Sequence, residues 1–169
     1  MKKSYKEIIK ATAVLSIICL VISAALAGTN KLTKDKIAEL NVKAKNDAMQ
    51  RIIAADDYKT ATTELDGAEY KYNIASNASG ILGFIFTTEA NGYGGAVSVM
   101  TGIDGSGKII AVEVLDVSSE TVGLGQNASK QDFRDRFIGK TGTLKAEKNA
   151  SADDEIQALT GATITSKAV

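Results

Sequence analysis

No histidine, no tryptophan and no proline occur among the 169 residues, and cysteine occurs once. Each absence removes a class of chemistry. Without histidine, the Ser-His and Cys-His nucleophile pairs and the His-containing zinc sites cannot be assembled. A lone cysteine, Cys19, rules out an internal disulfide and any Cys/His metal cluster. No metal site is therefore expected. Aromatic residues are only 5% of the chain, which argues against base-stacking platforms. Basic and acidic residues number 20 each, so no basic excess exists to neutralise a phosphate backbone, and nucleic acid is not an expected partner. Any difficult chemistry would have to be borrowed from a cofactor that the protein orients and tunes.

What is present begins with an apolar run. "ATAVLSIICLVISAALAGTN", Ala11 to Asn30, holds no charged residue. Twenty helical residues rise about 1.5 Å each, or roughly 30 Å, enough to cross a hydrocarbon core. Lysines 2, 3, 6 and 10 precede the run, as expected on the cytoplasmic side, but Lys31, Lys34 and Lys36 follow it and blunt the asymmetry. A retained membrane anchor is the favoured reading. The rival is a cleaved signal peptide, with Ala25-Leu26-Ala27 as its small-residue site. A lipoprotein is not expected, because Ile18 is too large to precede a lipidated Cys19. A buried core helix is a poor alternative for so long a stretch without a polar face.

The length suits one domain plus an appendage. The expected divisions are a cytoplasmic tip and anchor (1–30), a helical stalk (31–57) and an outer domain (58–169). In the stalk, Leu32, Ile37, Leu40, Ala44, Met49, Ile52 and Ile53 recur at helical spacing, with Thr33 as a candidate cap. From Tyr58 the period changes to two. "YKTATTEL" and "EYKYNIA" flank a turn at Asp66-Gly67, followed by strand-like "GILGFIFTTEA", "GYGGAVSVMTGID" and "KIIAVEVLDV". "SKQDFRDRFIG" predicts a helix capped by Ser129, with Phe133, Phe137 and Ile138 on one face. The expected fold class is α+β, a mostly antiparallel sheet with a few packed helices.

Several short patterns have bland readings. "GIDGSGK" imitates a phosphate-binding loop but continues with Ile109 where that loop requires Ser or Thr, and it lies between two strands. It reads as a hairpin turn. The Asn-Ala-Ser triplets at Asn77, Asn127 and Asn149 read as polar loops. Glu113 is expected on the exposed face of a strand.

Two stretches say more. "ETVGLG", Glu120 to Gly125, has glycines that let backbone approach a ligand and a leucine to touch it. Taken alone it would be a surface loop. "TGAT", Thr160 to Thr163, is a tetrad whose Ser/Thr-Gly-Ala-Ser/Thr class arises by chance in roughly one chain per hundred of this length. Thr160 or Thr163 there could cap a helix beginning in "ITSKAV", and such a helix start also favours a phosphate.

With these residues in order, the chain resembles the G subunits of Rnf-type ion-translocating electron-transport complexes. It is similar also to the C subunits of the sodium-pumping NADH:quinone reductase. The resemblance covers the anchor, the stalk, "GYGGAVSVMTGIDGSGKIIAVEVLDVSSETVGLG" and "LTGATITSKAV". It implies FMN attached covalently to Thr163 through a phosphoester, by a flavin transferase using FAD and magnesium. Thr160, Gly161, Ala162 and Thr165 would form the modification motif and cradle the phosphate. Glu120, Thr121, Gly123, Leu124 and Gly125 would flank the isoalloxazine, with Thr121 hydrogen-bonding it and Leu124 packing on it. Tyr93, Gly94 and Gly95 would be structural members of the same pocket. The chain departs from the family pattern at Val122, where proline is usual, and at Gln157, where aspartate is common.

The implied function is that of a non-autonomous redox subunit in the cell membrane, single-pass, with its FMN domain on the extracytoplasmic side. It would carry electrons inside a complex coupling ferredoxin–NAD chemistry to Na⁺ or H⁺ translocation. No catalytic residue, no substrate pocket and little turnover are expected of the domain alone. The alternatives are a stand-alone membrane-anchored FMN-domain reductase of an extracellular acceptor, or a non-redox binding module in which TGAT is only a helix cap.

Overall fold

The computed structural model describes residues 2–65 and 67–169, and separates into two compact units, Met1–Lys43 and Ala44–Val169. Asp66, half of the expected first turn, lies outside the described residues; Gly67 beside it has φ +77°, the left-handed conformation that turn requires.

The described residues of the first unit are all helical. Helix α1 (Lys2–Ile52) passes without a break from the apolar run into the charged stalk. The cap expected at Thr33 is not formed. Its hydroxyl instead donates to the Thr29 carbonyl at 2.9 Å, one turn back, a bond made inside helices. Nothing in the sequence stops the helix here, since proline is absent and a single Gly28 costs only about 1 kcal/mol. The apolar side chains between Ala11 and Ala27 are exposed on every face. By length and composition this helix is a candidate membrane anchor.

In the second unit, the last turns of α1 pack on a five-stranded antiparallel sheet. Its strands β1 (Asp57–Leu65), β2 (Ala68–Asn77), β3 (Gly80–Asn91), β4 (Ala96–Ile103) and β5 (Ile109–Asp116) lie in sequential order. Alternation along β4 sends side chains to both faces. Met100 joins Ala48, Ile52, Ile53, Ala75 and Ile85 under the helix end. Val97 and Val99 join Val112, Phe133, Phe137 and Ile156 on the other side. A Cβ on Gly102 would collide with the Ile52 side chain, so glycine inside the strand lets helix and sheet meet closely.

The β4–β5 connection is a turn. The Asp104 carboxylate accepts from the Ser106 amide at 2.8 Å and the Lys108 amide at 3.0 Å, and Gly107 has φ +82°. After β5 comes a 3₁₀ turn (Gly125–Ser129), a single helical turn α2 (Gln131–Arg134) and a second 3₁₀ turn (Asp135–Phe137). This corrects the expected helix. Ser129 does not cap it, because its hydroxyl donates to the Gln126 carbonyl at 2.8 Å and Lys130 holds the cap position. Phe133 and Phe137 are buried edge to face, 5.4 Å apart, whereas Ile138 is exposed because the backbone turns extended there.

Glu113 is also corrected. Its side chain is only 18% exposed and pairs with Arg134, with Arg51 at 3.5 Å. Two strands of three residues, β6 (Lys145–Glu147) and β7 (Glu155–Gln157), pair in parallel, and α3 (Thr163–Ala168) closes the chain.

Candidate functional site

The two informative stretches, far apart along the chain, meet around one buried carboxylate. Glu120 is 4% exposed. One of its oxygens accepts from the Gly94 amide at 2.8 Å and the other from the Thr165 hydroxyl at 2.5 Å. The Thr165 hydroxyl holds the carboxyl below the usual glutamate range, helped by the amides at Gly94, Tyr93 and Gly95 and opposed by burial. Glycines clear the space: a Cβ on Gly92 or Gly125 would strike the Glu120 carboxylate, and one on Gly94 the Ser119 carbonyl. The glycines of "GYGG" thus serve close packing, and Glu120 ties three segments together.

The loop carrying Glu120 is fixed internally. The Thr121 carbonyl accepts from the amides of Leu124 and Gln126 at 3.1 and 3.2 Å, and the Asn127 side chain donates to the Gly123 carbonyl at 2.6 Å. Gly123 has φ +79°. The TGAT stretch is held by Ser166. Its hydroxyl donates to the Ala162 carbonyl and accepts from the Leu159 amide, both at 2.9 Å. Gly161 has φ +75°, and a Cβ there would sit 3.2 Å from the Leu124 side chain, so the two stretches touch. Neither threonine caps α3. Ala162 holds the cap position, and Thr163 is the first helical residue.

Between the two stretches lies a cavity of about 620 Å³. Eight of the expected site residues line it: Glu120, Thr121, Leu124 and Gly125 on one side, and Gly161, Ala162, Thr163 and Thr165 on the other. Tyr93 joins them, 74% exposed at the rim. Thr160 and Gly123 do not line the cavity; the first is exposed within the turn that the Ala162 amide closes onto the Leu159 carbonyl, and the second shapes the loop beside Leu124. Sequence reasoning missed Ile164 and Lys148, which line it too. Ile164 adjoins the motif, but Lys148 lies in a stretch without periodicity and gave no signal.

A second cavity, of about 680 Å³, lies against β5 and β6 and is lined by Ile109, Phe137, Leu144 and Ile156 among others. Ser166 lines it, but no residue of ETVGLG or TGAT does.

Residues 92–169 match the FMN-binding domain family, and residues 1–52 match the RnfG N-terminal region. The chain is 32% identical over 169 residues to the G subunit of the proton-translocating ferredoxin:NAD(+) oxidoreductase complex of Clostridium ljungdahlii, covering 99% of this chain and 88% of that one. It is 35% identical over 189 residues to the G subunit of the Na(+)-translocating ferredoxin:NAD(+) oxidoreductase complex of Acetobacterium woodii, with 98% and 87% covered. The chain belongs to the Rnf G-subunit family. In fold it is similar to the C subunit of the Na(+)-translocating NADH-quinone reductase from Parabacteroides distasonis, with a TM-score of 0.56 at 20% identity over 68% of this chain and 70% of that one.

The cavity fits the FMN that this domain family binds. Its volume lies within the roughly 300–1,000 Å³ of small-molecule sites. Tyr93, Leu124 and Ile164 offer apolar surface of the kind a flat ring packs on, while Thr121, Thr163 and Lys148 offer polar and cationic groups. Among the described residues no cluster of acidic, Cys or His side chains suits a metal ion.

Proposed function

We propose that Thr163 carries FMN as a phosphoester and that this domain relays electrons inside an Rnf-type membrane complex coupling ferredoxin–NAD chemistry to Na⁺ or H⁺ translocation. The carrying observation is the convergence of "ETVGLG" and "TGAT" on one cavity with Thr163 on its wall. The hydroxyls of Thr165 and Ser166 are committed to Glu120 and to the turn, which supports Thr163 as the attachment point. Its hydroxyl serves as an attachment group, so no histidine is needed beside it. A flavin transferase using FAD and magnesium makes the bond during maturation.

When bound, FMN supplies an electron carrier that takes up and releases electrons singly or in pairs. The chain's own residues hold and present it. Glu120, Thr165 and Ser166 fix the relative position of the two walls before any cofactor arrives, so little ordering remains to be done on loading. Thr121 provides a polar contact and Leu124 an apolar one. Gly161 keeps the TGAT turn close beneath Leu124. The exposed rim at Tyr93 and Leu124 leaves the site open toward partner proteins of the complex, and covalent attachment keeps an open site from losing its cofactor. The apolar helix anchors the domain in the cell membrane, with the sheet on the extracytoplasmic side.

The test is intact mass spectrometry of the full chain co-produced with an active flavin transferase. The wild type should gain the mass of FMN less one water, and Thr163→Val should gain nothing. An unmodified wild type beside a modified control substrate would return the site to a non-redox binding role.

A further inference from the structure

We infer that Lys148 is the counter-charge of the cofactor anion, the residue that lets a phosphoester on Thr163 stand beside the buried Glu120 carboxylate. Among the residues lining the Thr163 cavity it is the one cation, and Glu120 is the one anion. The inference rests on the phosphoester reading.

Charge makes the case. Glu120 is buried and accepts an amide and a hydroxyl, the partners of an ionised carboxylate. A phosphodiester on Thr163 adds one more full negative charge to the same cavity. Two like charges in a partly enclosed site repel strongly unless a cation balances them. With Lys148 the loaded cavity carries a net charge of −1, and without it −2. Among the described residues Lys148 makes no ion pair that would divert its ammonium group.

Its backbone is also positioned. The Gln157 side chain bridges the Lys148 carbonyl and the Ala150 amide, donating to the first and accepting from the second at 3.1 Å. The Ala158 amide donates to the Glu147 carbonyl at 2.8 Å. Arg136 in turn donates to the Gln157 carbonyl at 2.6 Å. The strand that leads into the TGAT turn therefore holds the lysine's loop in register with Thr163. This gives Gln157 a role: it places the lysine as a neutral clamp, where an aspartate would add a further negative charge.

The experiment uses the full chain in detergent with purified flavin transferase and FAD, comparing wild type, Lys148→Arg and Lys148→Gln. Attachment is followed by intact mass at low salt and at 1 M NaCl. Lys148→Gln should load about tenfold more slowly at low salt and approach wild type at 1 M, where charges are screened within about 3 Å, while Lys148→Arg should stay close to wild type. A contact of the lysine with the transferase would also slow loading, so the fully loaded fractions are then melted by calorimetry. On loading, Lys148→Gln should gain less in melting temperature than wild type and Lys148→Arg, with the gap closing at high salt. Equal melting gains in all three loaded proteins would overturn the inference while leaving the phosphoester intact. An unloaded wild type would overturn both.

Discussion

Glu120 lines the cavity and also holds the fold around it together. The family resemblance puts it beside a flavin, and in the fold its carboxylate accepts from the Gly94 amide and the Thr165 hydroxyl. Glu120→Ala would leave both donors without an acceptor, at about 1–3 kcal/mol each. We expect a large fall in the melting temperature, read by calorimetry, with Glu120→Gln falling between the two. Gly125→Ala should resemble Glu120→Ala, because its methyl group would occupy the position of the carboxylate. The pH dependence follows from the same contacts. The folded-state pKa of Glu120 is depressed. Its contribution to stability is therefore complete above the unfolded glutamate value of about 4.3 and is lost as pH falls through the lower folded value. Asp104, Asp116, Asp154 and Glu155 are shifted the same way. The part belonging to Glu120 is the difference between the acid melting profiles of wild type and Glu120→Gln.

Among the elements, the five strands were legible because each runs eight residues or more, the last two alternate well, and the turns at Gly67 and Asp104–Gly107 use residues that suit them. The strands β6 and β7 were not, since three residues are too few for any period to register. The break expected at Thr33 and the helix expected after Ser129 failed for a shared reason. Ser and Thr hydroxyls bond backbone carbonyls inside a turn as readily as they cap one, and local sequence does not say which. The close contact of α1 with β4 was equally hidden, because it depends on Gly102 facing Ile52. Ile52→Ala should cost about 2–4 kcal/mol as a core truncation. Gly102→Val should also destabilise, by forcing helix and sheet apart, and chemical unfolding of both variants checks this.

At the scale of the whole molecule, the question is whether the apolar helix is kept and which way the chain crosses. We expect the protein to remain in the membrane pellet after alkaline carbonate extraction, with its N-terminal lysine-containing peptide detected by mass. Loss of residues 1–27 would instead show a cleaved signal peptide. For orientation, Gly105→Cys in a Cys19→Ser background places a thiol at the exposed β4–β5 turn. Labelling by a membrane-impermeant maleimide on intact cells, without lysis, is the expected result for an extracytoplasmic domain.

Composition and pattern alone determined the excluded chemistries, the long apolar helix, the α+β class and the two stretches that stand out. Each of these depends on residue identity or on a period that neighbours along the chain reveal. The tertiary structure decided that the two stretches meet at one cavity, that the Thr165 hydroxyl holds the buried Glu120 carboxylate, and that Lys148 lines the same cavity. Those are facts about distance in space between segments far apart in sequence. They are set by close packing around glycines, which a linear pattern cannot measure.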